Sequence, residues 1–186
     1  MQFGRFMKRG QRGASLLEVL IAILIMSFGL LALAGLTATS VQYGKMAQFQ
    51  TIGVQLASDY VDRMRANADG FLLNAYNKTA VYAVSTAAAT IPACAVSTAC
   101  TAAETAAIDQ AEWINSLRQR LPGGDAYVLR DTTNTLSVDI WIMWTEGAVA
   151  EGSDTRVLTG SNPDCPAAAV SGLGTVPRCV YFRATI

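Results

Sequence analysis

Residues 14–36 read ASLLEVLIAILIMSFGLLALAGL, and from Val19 to Leu36 no side chain carries a charge. As a helix those 18 residues span about 27 Å, close to the ~30 Å hydrocarbon core of a bilayer. Gly29 and Gly35 would weaken a helix in water but are tolerated in lipid. A removable secretory signal would have a shorter apolar core followed by a small-residue cleavage site. This run is longer, and no such site follows it cleanly, so a retained membrane helix is the better reading. Arg5, Lys8, Arg9 and Arg12 precede it without any acidic residue. That flank predicts a cytoplasmic N-terminus and an exported C-terminal part. A plain anchor leaves Glu18 unexplained, because one carboxylate in a membrane helix costs about 2.5–3.5 kcal/mol at the bilayer centre and less near its edge.

The helix continues beyond the apolar run. Residues 37–67 contain no proline, and Phe49, Ile52, Leu56, Tyr60 and Met64 fall on one helical face. Thr51, Gln55, Ser58, Asp62 and Arg65 lie roughly opposite. Asp59 and Arg63 form an i,i+4 pair in the favourable order, with Arg63 expected to reach outward from the edge of the apolar stripe. Asp69-Gly70 reads as the stop. Residues 14–67 would then form one helix about 80 Å long, apolar all round in its first half and amphipathic in its second.

Composition narrows the chemistry. The chain of 186 residues has no histidine, which removes the Ser-His-Asp and Cys-His nucleophile pairs and every His-ligated metal. The glycine-rich phosphate and dinucleotide motifs and the nucleophile elbow are also missing. Net charge is zero and the pI is about 6.2, so no general basic surface is offered to nucleic acid. No enzyme activity, cofactor or metal is expected. Glu151, Asp154 and Asp164 lack the spacing of a calcium loop. Asn77-Lys78-Thr79 matches a glycosylation acceptor at a frequency chance explains as well.

Residues 79–107 are dominated by Ala, Thr and Ser and read as an exposed connector. Thr101 and Glu104 have capping-box spacing. Ala107, Ala111, Ile114, Leu117 and Leu121 mark the buried side of a second helix that stops at Pro122-Gly123-Gly124, with Trp113 as a packing residue. Strands follow. Tyr127–Leu129 is short, and Asp131–Thr135 supplies a hairpin turn. Over Thr135–Thr145, Leu136, Val138, Ile140, Ile142 and Trp144 alternate with Ser137, Asp139, Trp141, Met143 and Thr145, the pattern of a half-buried antiparallel strand. Residues 155–159 form a further short candidate, and Cys179–Ile186 alternates again. The fold class expected is α+β, a long N-terminal helix packed on a small antiparallel sheet.

Cys94, Cys100, Cys165 and Cys179 all fall in the part expected to be exported, where disulfides form. Four cysteines allow three pairings. The local one, Cys94–Cys100 with Cys165–Cys179, closes two short loops, each worth about 2–3 kcal/mol on the chain-entropy argument. A four-cysteine zinc site is the rival, but close C-x2-C spacing is missing.

The run Lys8-Arg9-Gly10-Gln11-Arg12-Gly13, then Ala14-Ser15-Leu16-Leu17-Glu18, resembles the prepilin signal of the type IV pilin-like family. The family pattern is a basic leader ending in Gly, an apolar first mature residue and a Glu four residues further on. Gly13, Ala14 and Glu18 take those places. The resemblance implies a cut between Gly13 and Ala14 by a prepilin peptidase, N-methylation of Ala14, and a meeting of the Glu18 carboxylate with a neighbouring subunit's amine during assembly. Ala14 stands where Phe is usual, and Gly35 where many major pilins have a helix-kinking Pro. Asp62–Asn67, Cys100, Trp113, Leu121-Pro122-Gly123-Gly124 and Trp144 are similar to minor pilins of the family.

The resemblance divides the chain into a leader, 1–13, a membrane and assembly half-helix, 14–38, and a periplasmic globular domain, 39–186. It implies a minor pilin held in the inner membrane by a single span, which helps prime assembly and has the filament tip as one place. Its partners would be other minor and major pilins, the prepilin peptidase, the inner-membrane assembly machinery and the lipid bilayer. A minor pseudopilin of a type II secretion system shares residues 1–40, and an adhesin module on a pilin stem is a third reading.

Overall fold

The structure is a computed structural model that describes residues 15–96, 99–145, 164–174 and 176–186. The chain divides between Met46 and Ala47 into two compact units. Helix α1, Leu16–Ala66, contributes to both. The N-terminal unit consists of the first part of α1, whose apolar side chains are uncovered, as at Leu20, Ile25, Phe28 and Leu31.

The second unit is α+β, with the C-terminal part of α1 packed on a three-stranded antiparallel sheet. Leu56, Tyr60 and Met64 are buried there, and Phe49 and Ile52 pack at the margin of the same core. Gly53, Ala57 and Val61 widen the buried stripe. The polar residues read as opposite, Thr51, Gln55, Ser58, Asp62 and Arg65, are exposed.

The helix stop lies earlier than Asp69-Gly70. Helix α1 ends at Ala66, and a short helix α2, Ala68–Leu72, restarts at once. Asn67 makes the break, its Oδ1 accepting from the Gly70 N–H at 3.2 Å. Gly70 is needed inside α2 rather than at a stop, because a Cβ there would come within 2.7 Å of the Ala102 carbonyl.

Helix α3, Ala102–Arg120, opens with the full capping box. The Thr101 hydroxyl accepts from the Glu104 N–H, and the Glu104 carboxylate accepts from the Thr101 N–H at 2.8 Å. Thr101→Ala should cost about 1 kcal/mol, read as a lower urea midpoint at unchanged slope. The buried stripe of α3 begins at Ala106, fully buried, rather than at the exposed Ala107. It continues through Ala111, Trp113, Ile114 and Leu117. The turn that follows depends on glycine. Gly123 has φ of 59°, and a Cβ on Gly124 would lie 2.3 Å from the Leu117 carbonyl oxygen.

Strands β1, Asp125–Arg130, β2, Ser137–Trp144, and β3, Arg178–Thr185, form a meander in the order β1-β2-β3. Asp131 shapes the hairpin, its Oδ1 accepting from the N–H groups of Thr133 and Asn134. Val138, Ile140, Ile142 and Trp144 enter the main core, whereas Leu136 lies outside the strand and is half exposed.

The strand is covered on more than one face. Met143, on the side read as outer, is fully buried in a second cluster with Tyr82, Tyr127, Ala169 and Cys179. The covering comes from a short helix α4, Ala167–Val170, and the adjoining segment. The candidate strand at 155–159 lies outside the described residues.

The connector is anchored to the domain. Asn115 Oδ1 accepts from the Ala89 N–H at 2.6 Å while its Nδ2 donates to the Ala89 carbonyl. Arg118 donates to the Ala87 carbonyl, and the Tyr82 hydroxyl to that of Gly123.

Candidate assembly and processing site

The processing residues Gly13 and Ala14 lie outside the described residues. The described part of the site begins at Ser15. Its hydroxyl and carbonyl oxygens both accept from the Glu18 N–H, at 3.2 and 3.0 Å. Ser15-Leu16-Leu17-Glu18 thus has capping-box spacing, and its first half is formed. Sequence reasoning passed over Ser15, although the S-x-x-E pattern was there to be read. Glu18 sits in the first turn of α1 with its side chain exposed. The unpaired N–H groups of that turn favour a negative charge.

Beyond Glu18 the helix suits lipid. It is long and apolar enough to cross a membrane, and none of its apolar window is buried. Three of its hydroxyls bond back to the helix itself. Ser27 donates to the Ile23 carbonyl at 2.8 Å, Thr37 to that of Ala34 at 2.8 Å, and Thr39 to that of Leu36 at 2.9 Å. A hydroxyl bonded in this way leaves no donor unsatisfied in hydrocarbon.

In the second unit a polar lock fastens α1 to α3. Arg63 does not simply reach into solvent. It pairs with Asp59 at 3.2 Å in its own helix, and with Asp109 and Glu112 of α3 at 3.1 and 2.9 Å. The Tyr76 hydroxyl donates to Asp109 at 2.6 Å and accepts from Asn67 Nδ2. Burial, then the bonded Asp109 carboxylate, raises the Tyr76 hydroxyl above its usual range. Tyr82 is pushed up to about 12, first by burial and then by Asp125 nearby. Neither phenol ionises at neutral pH, so both remain donors. These groups fix the helices.

Cys94 is bonded to Cys100 and Cys165 to Cys179, each pair with Cα atoms 5.2 Å apart. The first bridge closes the loop before α3, where Glu104 also accepts from the Ala95 N–H. The second ties the segment before α4 to the start of β3. Trp113 is a packing residue, fully buried and stacked on Tyr60. Asn77 is engaged at the sheet, its Oδ1 accepting from the Arg130 N–H at 2.9 Å. Among the described residues no group of three or more Cys, Asp or Glu side chains is placed to hold a metal. Of the acidic residues weighed for calcium, Glu151 and Asp154 lie outside the described residues.

Residues 8–34 match the family of the prokaryotic N-terminal methylation motif. That match supports a type IV pilin-like or pseudopilin protein, and it points to a structural subunit rather than an enzyme. It implies processing by a prepilin peptidase and assembly with other pilins. Together with the apolar helix it is consistent with membrane anchoring. The matched segment contains Gly13, Ala14 and Glu18 and stops short of the second unit. No curated protein and no solved structure matches the chain at a significant level.

Proposed function

We propose that this chain is a minor pilin of a type IV pilus, a structural subunit that helps prime filament assembly and takes a place at the tip. Within that class it is most like PilV, on the strength of Asp62–Asn67, Cys100, Trp113, the Leu121-Pro122-Gly123-Gly124 turn and Trp144. The observation that carries the reading is a methylation motif set on a lipid-compatible helix that continues into a small disulfide-bonded α+β domain.

In this reading the peptidase cuts between Gly13 and Ala14 and methylates the new amine of Ala14. The helix then leaves the inner membrane for a bundle of like helices, with its globular domain on the periplasmic side. Lipid tails and helix cores are similarly apolar, so packing and the Glu18 charge must set the register. The chemistry is assembly, with no bond made or broken by this chain.

Deletion with a count of surface filaments tests the reading. Loss of filaments at normal levels of the other subunits is the expected result. Normal filaments with lost attachment would favour an adhesin module. Normal filaments with lost protein secretion would favour a type II pseudopilin.

A further inference from the structure

Helix α1 runs unbroken through Gly29 and Gly35, so distances along it follow from the helical rise. From Val19 to Val41 the only polar side chains are the hydroxyls of Ser27, Thr37, Thr39 and Ser40. That stretch spans about 35 Å, slightly more than the hydrocarbon core, and a modest tilt absorbs the difference. A polar belt follows. Gln42 and Lys45 are exposed, and Tyr43 between them is 71% exposed. Tyr43 carries the first aromatic ring after Phe28, and Lys45 the first charge after Glu18. No acidic residue lies between Glu18 and Asp59, so no neighbour on the helix pairs with Lys45. Glu18 and Lys45 are about 40 Å apart along the helix, the thickness of a bilayer counted with its headgroups.

We propose that Tyr43 and Lys45 bind the phospholipid headgroups of the periplasmic leaflet and set the depth of α1 in the membrane before assembly. The proposal rests on the reading of α1 as an inner-membrane span whose C-terminal side is exported. A tyrosine is apolar in its ring and polar at its tip, which suits the headgroup level. A lysine reaches from the edge of the hydrocarbon to a lipid phosphate, and its charge is the complement of that group. Tyr43 and Lys45, two positions apart, lie on nearly opposite sides of the helix, so they hold it as a belt rather than mark one face. This depth carries the span to Val41, past the boundary at 38 that the family resemblance implies. It also puts Glu18 in the opposite headgroup layer. The carboxylate is then within reach of water in the waiting subunit, and enters an apolar setting only when the helix moves into the bundle.

Single cysteines placed in the full-length protein, in right-side-out spheroplasts, test the depth. The native cysteines are paired and do not react with a membrane-impermeant maleimide, so labelling reports the added thiol alone. Ala47→Cys should be labelled and Ser40→Cys should not, because Ser40 lies inside the hydrocarbon. With Lys45→Glu added, lipid phosphate repels the side chain, and labelling of Ser40→Cys should rise at least about fivefold, the worth of one lysine at an anionic surface. Lys45→Arg should leave it low. Tyr43→Ala should raise it too, and Tyr43→Trp, which keeps an interfacial ring, should not. Ready labelling of Ser40→Cys with Tyr43 and Lys45 in place, or a labelling unchanged by Lys45→Glu or by Tyr43→Ala, would overturn the proposal. Labelling of Ala47→Cys only after the membrane is opened would overturn the orientation of the span, and wild-type protein absent from the membrane fraction would overturn the span itself. The belt falls with either.

Discussion

Glu18→Val should leave processing intact and remove the chain from filaments. Glu18 is the only charged residue between Arg12 and Lys45, so in a bundle of helices it is the one strong electrostatic contact available along that stretch. Valine is apolar and eases insertion, and it leaves Gly13 and the basic leader untouched. Intact-mass measurement should therefore still show the loss of residues 1–13. Assembly is a different matter. If the carboxylate meets an amine of the next subunit, its removal leaves that amine unpaired in a low-dielectric setting. Breaking one side of a buried pair costs about 3–5 kcal/mol, enough for a loss of more than about a hundredfold from sheared filaments. The processed protein should accumulate in the membrane. Glu18→Gln, which keeps shape and hydrogen bonding without the charge, should fall between the two. Incorporation of Glu18→Val at the wild-type level would reduce Glu18 to a charge tolerated near the membrane surface, stabilised by the first turn of α1 and by nothing beyond it.

Much of the molecule is legible before any coordinates because two periodicities are clean. The step of three or four from Phe49 to Met64 sets α1 on the core, and the alternation from Val138 to Trp144 sets β2 against it. Capping-box spacing places the start of α3 at Thr101. What escapes is decided by partners distant in sequence. In the run around Ala106 and Ala107 every candidate is alanine, so hydropathy does not choose the buried one. Met143 reads as an outer residue until the α4 segment folds over it, and no local pattern announces that cover. The connector has no apolar period at all, and its order comes from single side chains of α3, Asn115 and Arg118, reaching its carbonyls. At the processing site the reverse holds. Gly13 and Ala14 are read from sequence alone, and the structure adds only Ser15 and the first turn.

Trp113→Ala should be the most damaging single change in the second unit. Trp113 is a recognisable large residue on α3, but its partner is not legible, because Tyr60 belongs to α1 and lies far from it in sequence. In the fold their rings stack at 3.8 Å between centroids with planes 9° apart. The indole N–H also donates to the Leu56 carbonyl at 2.8 Å, so one side chain fastens α3 to α1 by packing and by a directed bond. Truncation to alanine opens a cavity beside Tyr60 and Leu117 that a helix pair braced by Arg63 cannot easily collapse. The expected loss is about 3–5 kcal/mol. Trp113→Phe keeps a ring over Tyr60 and gives up the donor, and should cost roughly half as much, since the Leu56 carbonyl lies within a helix that can still serve it. Urea titration of the full-length protein in detergent, followed by near-ultraviolet circular dichroism, measures both, because the α1 segment that suits lipid adds helix but little aromatic signal. A loss below about 1 kcal/mol for Trp113→Ala would mean that the Arg63 network with Asp59, Asp109 and Glu112 holds the two helices together without the stack. In that case Arg63→Ala, rather than Trp113→Ala, should show the larger fall.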